Sequence, residues 1–159
     1  MTSILDAQSY YAPQLLIRPD GTPLVLFATE NRFLRTSVYI ISLDDLLQKR
    51  IENSKIQDIS RLIFKDCCHA MLTAPILIDV NQDDITDIII SLDHSTIIAL
   101  NGFNYEVLWT KQFKDNHTFL SIASGHFNHD SIPDLALFYK NNAINYNNYP
   151  NGEVNDQVP

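Results

Sequence analysis

Two acidic loops of one pattern, each set between apolar, strand-like runs, constrain this chain more than any other feature. They are Asp79-Val-Asn81-Gln-Asp83-Asp-Ile-Thr-Asp87 and His126-Phe-Asn128-His-Asp130-Ser-Ile-Pro-Asp134, and their first positions lie 47 residues apart. A hard cation such as calcium takes several oxygen ligands at once, and alternate positions of a tight loop bring such donors together. The first loop offers Asp79, Asn81, Asp83 and Asp87, with the backbone carbonyl of Ile85 at position seven. The second is degenerate: Asn128, Asp130 and Asp134 remain, but His126 stands where a carboxylate is expected. An EF-hand is excluded, because its twelfth position is a bidentate Glu and the residue here is Ile90. The competing reading needs no ion, since Asp and Asn also cap turns by accepting hydrogen bonds from nearby amides.

The runs around the loops are short, rich in β-branched residues and separated by turn signals, which predicts an all-β class. Strands are expected over 74–80, 87–92, 96–100 and 107–113, with Asn101-Gly102 turning the third into the fourth, so that four consecutive strands form one meander. The pattern restarts over 119–127 and 134–139. A recurrence at this period marks blades or arrays. The amino-terminal third fits with strands over 14–18, 24–28, 38–43 and 61–64, and Pro19-Asp20-Gly21 forms a plain tight turn where the later copies carry the acidic loop. A short helix from Ser42, with Asp44 and Asp45 at its start and Lys49 and Arg50 near its end, reads as an insertion between two strands. Approximate blades are therefore 13–67, 73–113 and 119–150: a partial β-propeller domain spanning 1–159, with about two full four-stranded blades and the start of a third. Since closed rings typically need four or more blades, a fragment of a larger ring is expected. The Asn- and Tyr-rich stretch 141–148 reads either as a low-complexity tail or as an unfinished strand.

Composition removes several functions. The 159 residues carry a formal net charge of −8 with no basic stripe, which argues against nucleic-acid phosphates. No apolar stretch approaches the roughly 20 residues that span a bilayer, and the first residues lack a signal-peptide pattern, so any membrane anchor is expected outside the chain. The two cysteines, Cys67 and Cys68, are adjacent, and a bridge between them would be strained. Cys67-Cys68-His69 lacks a second ligand pair at zinc spacing, which leaves small apolar thiols in or beside a strand. Asn116-His-Thr118 is a glycosylation sequon.

At 78–90 and 124–135 the chain resembles FG-GAP repeats, the blade units of integrin-alpha-type propellers. Over about 16–148 it is similar to the family-with-sequence-similarity-234 membrane proteins, through Leu24-Val-Leu-Phe-Ala, Val38-Tyr-Ile-Ile-Ser-Leu, Ala74-Pro-Ile-Leu-Ile-Asp, Ser95-Thr-Ile-Ile-Ala and the loop from Gly125. The resemblance implies a single-pass membrane protein whose propeller lies in the extracellular or lumenal part, and a binding or interaction role. Its protein or ligand partner would sit on the propeller rim. The repeat's usual Gly at loop position six is Asp84 in one copy and Ser131 in the other.

Residues 97–109 also resemble the docking strand of quinoprotein-like propellers, so blades of a propeller enzyme are the alternative. In that setting Trp109 more often packs between blades than contacts a cofactor. Asp93-His94-Ser95 holds triad residue types without triad geometry, because a turn lays them side by side. No HxH or HExxH spacing is present. The expectation is a non-catalytic scaffold.

Overall fold

The computed structural model describes residues 7–8, 11–31, 36–48, 59–93, 95–113 and 117–141. Lys49, Arg50, the sequon residue Asn116 and the stretch 142–148 lie outside them. The described residues form antiparallel sheets and one short helix, so the class is all-β, and among them no closed barrel or closed ring of sheets is formed. No helix among them is long and apolar enough to cross a membrane. The chain divides into two compact units, 1–70 and 71–159.

In the first unit, β1 (Ala7–Gln8), β2 (Gln14–Ile17), β3 (Pro23–Asn31), β4 (Thr36–Ser42) and β5 (Arg61–Lys65) make one antiparallel sheet. β2 and β1 pair with successive parts of β3 along the edge that β4 leaves open. The two-residue side-chain period of a strand sets the core: Leu24, Leu26 and Ala28 share one face of β3, and Leu16, Ile40 and Val38 lie beside them in register, all buried. On the opposite face the Phe27 and Tyr39 rings stack with centroids 5.4 Å apart. The β2–β3 turn is as tight as its sequence implies. Gly21 takes φ 81° and donates to the Arg18 carbonyl at 2.8 Å, while Asp20 Oδ1 accepts the Thr22 amide at 2.8 Å.

Helix α1 (Leu43–Gln48) follows β4 directly and buries no residue, as an insertion would. Its Ser42 cap is long, with the Asp45 amide 3.5 Å from the hydroxyl.

The segment after β5 is pinned more firmly. Asp66 Oδ1 accepts the amides of Cys68 (2.7 Å) and His69 (2.8 Å) and lies 3.0 Å from His69 Nδ1. The fully buried Thr36 accepts the Asp66 amide at its carbonyl (2.9 Å) and donates its hydroxyl to the His69 carbonyl (2.8 Å). Cys67 and Cys68, expected as apolar filling beside a strand, are both exposed on this turn. A short-range cap by Asp66 and a long-range bond from Thr36 hold the backbone inward, which leaves the two intervening side chains on the outside.

In the second unit, β6 (Ile76–Ile78), β7 (Asp87–Leu92), β8 (Thr96–Leu100) and β9 (Val107–Gln112) form a four-stranded meander, and β10 (His117–Gly125) pairs with β11 (Asp134–Asn141) as a hairpin. Every residue of β7 is buried. Burial at every position distinguishes a central strand from one with a wet face, where polar residues alternate. On one face of the meander Ile89, Ile97 and Ala99 pack with Leu135 and Leu137 of the hairpin, and Trp109, Ile76, Ile78 and Ile122 close around them. Trp109 is thus part of the apolar core of its own unit.

Asp66 makes the first turn pH-sensitive. Partial burial pushes its carboxyl up, but the hydrogen bonds from the Cys68 amide and from the His69 ring and amide outweigh this and hold it below its ordinary value of 3.8. A depressed carboxylate contributes stability that is present above the unfolded value and is lost as pH falls through the folded one. Asp66→Asn should therefore cost about 1 kcal/mol at neutral pH, and the gap in melting temperature from wild type should close as pH falls through the depressed folded value of the carboxyl. A gap that is equally wide in acid would show that the charge contributes nothing.

Candidate functional site

The acidic loops leave β6 and β10 and return into β7 and β11, so each joins the first two strands of its sheet. In both, the same three hydrogen bonds recur at the same positions. The position-nine carboxylate accepts the amide of position two: Asp87 Oδ2 from Val80 at 3.0 Å and Asp134 Oδ2 from Phe127 at 2.8 Å. The position-three amide oxygen accepts position five: Asn81 from Asp83 at 3.2 Å and Asn128 from Asp130 at 2.9 Å. The position-five carboxylate accepts position seven: Asp83 from Ile85 and Asp130 from Ile132, both at 2.9 Å. The last two are Asx-type bonds, in which a short polar side chain accepts from the backbone two residues beyond it, while the first reaches back seven residues to the start of the loop. A sequence repeat is here a repeat of hydrogen-bond geometry.

Position one separates the copies. Asp79 Oδ1 accepts the amides of Asn81 (3.2 Å), Gln82 (2.7 Å) and Asp83 (3.3 Å), and Oδ2 accepts that of Asp84 (2.9 Å). Collecting four amides onto one carboxylate coils the loop tightly enough to put Gln82 and Asp84 at φ 61° and 63°. Asp is among the few side chains that enter the left-handed region readily, which is why Asp84 can hold position six. His126 has no carboxylate to repeat this, and Ser131 is not among the positive-φ residues described. The second loop instead draws Asn128 onto Asp134, through its amide at 3.1 Å and its Nδ2 at 3.0 Å.

The first loop is also tied to its neighbours. The second carboxylate oxygen of Asp87 accepts the Gly102 amide at 3.0 Å, and Asn101 Nδ2 donates to Asp83 Oδ2 at 3.3 Å, so the β8–β9 turn is held against the β6–β7 loop. Gly102 is required there: a Cβ would lie 1.8 Å from the Thr86 carbonyl oxygen. Gln82 Nε2 donates to Ser131 Oγ at 2.8 Å, linking the two acidic loops. Sequence reasoning marked Asn101-Gly102 only as a turn, and it missed Gln82 and Ser131. The scarcity of glycine was the available signal, since a chain with four glycines that places one beside a turn Asn is using its small size.

Asp87 is fully buried, and burial raises its carboxyl above the ordinary value; the amides of Val80 and Gly102 oppose this, while the like charges of Asp83 and Asp79 add to it. The oxygen chemistry of Asp79, Asn81, Asp83, Ile85 and Asp87 fits calcium. Their arrangement is that of turn caps, with side-chain oxygens directed at the loop's own amides, and among the described residues no group of three or more His, Cys, Asp or Glu is disposed to hold a metal. The second set, Asn128, Asp130 and Asp134, is arranged the same way. Of the triad-like residues, Ser95 is 1% exposed at φ 60°, and His94 lies outside the described residues.

No protein-family model, curated protein or solved structure matches this chain.

Removing Asp87 orphans two backbone donors at a buried position. At about 1–3 kcal/mol for each unsatisfied group, Asp87→Ala should cost roughly 2–6 kcal/mol. Asp134→Ala, in the more exposed loop, should cost about 1 kcal/mol or less. Gly102→Ala should cost at least about 1–3 kcal/mol through the clash with Thr86. Urea midpoints at unchanged slope provide the measurement, and an Asp87→Ala midpoint equal to wild type would remove the carboxylate from its anchoring role.

Proposed function

We propose that this chain is part of an FG-GAP-type β-propeller, in the extracellular or lumenal region of a membrane-anchored protein, and that it acts as a non-catalytic binding scaffold. The observation that carries this reading is the recurrence of one loop, with the same three hydrogen bonds, between the first and second strands of two successive antiparallel sheets. A repeated unit that cannot bury its apolar face alone gains a core by stacking on the next copy. The shared cluster of Ile89, Ile97, Ala99, Leu135 and Leu137 is such a core. Loops at the ends of packed strands vary without disturbing the sheets, so the rim is where a protein or ligand partner would be met. Approximate blades over 13–67, 73–113 and 119–150 belong to this reading, as does glycosylation at Asn116. Blades of a quinoprotein-like enzyme are the alternative, and the packing of Trp109 against the shared core is compatible with either reading.

Calcium at the first loop is part of the proposal. Three carboxylates, Asp79, Asp83 and Asp87, are close enough for the first and second to raise the third, and a divalent cation would relieve that repulsion. Extracellular modules bind calcium at about 0.1–1 mM, and calcium at tenfold its dissociation constant should stabilise the full ectodomain by about 1.4 kcal/mol. Asp83→Ala should abolish most of that gain and Asp130→Ala little of it. A melting temperature that does not move across a calcium titration would leave the loops as turn caps alone.

Too few blades to close a ring leave open strand edges and uncovered apolar faces. Phe127 and Phe138 are already 59% and 53% exposed. Residues 1–159 expressed alone should therefore self-associate, and supplying further blades in cis should restore a monomer that melts cooperatively. Sedimentation decides this: a stable monomer of the isolated chain would end the propeller assignment.

A further inference from the structure

Three segments meet at one end of the second unit: the β6–β7 loop over 79–87, the β8–β9 turn over 101–107 and the β10–β11 loop over 126–134. Asn101 and Gly102 tie the turn to the first loop through Asp83 and Asp87, and Gln82 ties the second loop to it through Ser131. Together the segments carry seven carboxylates and no Lys or Arg, in a chain whose whole net charge is −8. The described lysines of this unit stand elsewhere: Lys111 pairs with Ile97 and Lys140 with Thr118, toward the opposite ends of their strands. Not all of this charge is spent on the fold. Asp84 is exposed and gives the loop its amide, which goes to Asp79, while among the described residues its carboxylate has no partner. Glu106, also exposed, uses one oxygen to hold the Asn104 side-chain amide at 2.9 Å.

Large apolar side chains face solvent beside these charges. Phe103 and Val107 on the turn are 58% and 57% exposed, and Ile132 on the second loop is 48% exposed. Exposed apolar groups rimmed by polar ones mark contact sites. These three sit at strand ends, whereas Phe138 lies on a sheet face. A further sheet stacked on the unit would cover Phe138 and leave the loop tips on the surface.

We infer that this end of the second unit is a docking surface for a basic protein segment, one that carries apolar side chains beside its Lys or Arg. The inference names the chemistry of the rim partner proposed above and rests on that reading for the exposure of the rim. Charge decides the occupant. A field of one sign attracts the opposite sign and repels its own, so a second copy brought to this end would set seven carboxylates against seven. An anionic membrane surface is repelled in the same way. Calcium would answer the carboxylates of the first loop but makes no use of Phe103, Val107 or Ile132. A basic segment uses both features: its cations, set against Asp84 and Glu106, steer the encounter, and its apolar side chains, set against Phe103 and Ile132, hold it in place.

The probe is a fluorescein-labelled peptide, Leu-Trp-Lys-Arg-Lys-Arg-Trp-Leu, compared with an all-Lys peptide of equal charge, and fluorescence anisotropy is read on titration with the full ectodomain. Expected is saturable binding of the first peptide, tighter than that of the second, which weakens roughly tenfold between about 50 and 500 mM salt. Asp84→Asn, which keeps a residue type that enters the left-handed region, and Glu106→Gln should each weaken it about two- to fivefold. Phe103→Ser should weaken it about fivefold or more. Phe138→Leu, on the sheet face, should bind as wild type does. Equal affinity for the two peptides would reduce the surface to charge alone and overturn the inference. So would Phe103-dependent binding to phosphatidylcholine vesicles in place of the peptide, which would make this end a membrane contact. Binding by residues 1–159 that the full ectodomain lacks would also overturn it, by giving the surface to another part of the same polypeptide. Failure of the propeller reading is told apart, because the sedimentation result that ends that assignment leaves peptide binding to these loops intact.

Discussion

A carboxylate with no exposed surface stands at the first residue of β7 and accepts hydrogen bonds from two amides remote in sequence, those of Val80 and Gly102. Burying an ionisable group is costly unless its lone pairs are met, so the backbone must come to it. That requirement fixes the geometry of one end of the second unit. The β6–β7 loop has to fold back over the strand it leads into, and the β8–β9 turn has to approach so closely that only glycine fits beside Thr86. The meander is thereby closed at its loop end by one side chain, while Ile89, Ile97 and Ala99 close it through its face.

The second acidic loop shows what the anchor does by having less of it. Asp134 repeats the bond to position two, but its other oxygen goes to Asn128 of its own loop and not to a neighbouring turn. The hairpin therefore depends on Leu135 and Leu137 packing against the meander, and on Gln82 reaching Ser131. The two loops share an internal wiring and differ in what they hold beyond themselves. This difference accounts for the greater burial of Asp87 without any difference in residue type at that position.

The first unit solves the same problem with other residues. No acidic loop joins β2 to β3, where a tight turn with Gly21 in the left-handed region suffices. Its firm point lies at the far end, where Asp66 and Thr36 lock the turn after β5. A short-range cap and a long-range hydroxyl bond together decide which way the following side chains face. That is how two residues of a type usually buried come to lie in solvent.

The strand blocks, their antiparallel order, the plain turn at Pro19-Asp20-Gly21 and the kinship of the two acidic loops were legible in the residues alone, because each depends on interactions within a few positions. Alternation fixes the faces of a strand, Gly and Asp allow the turns, and Asp or Asn at alternate loop positions can reach its own amides. The burial of Asp87 was not legible, nor was the grip of Gly102 on it, because both depend on segments that meet only after the meander has formed. The exposure of Cys67 and Cys68 was hidden for the same reason, being set by Thr36 from more than thirty residues away. Local chemistry names the elements and the donors. Long-range contacts decide which donors are spent on the fold and which side chains are left exposed.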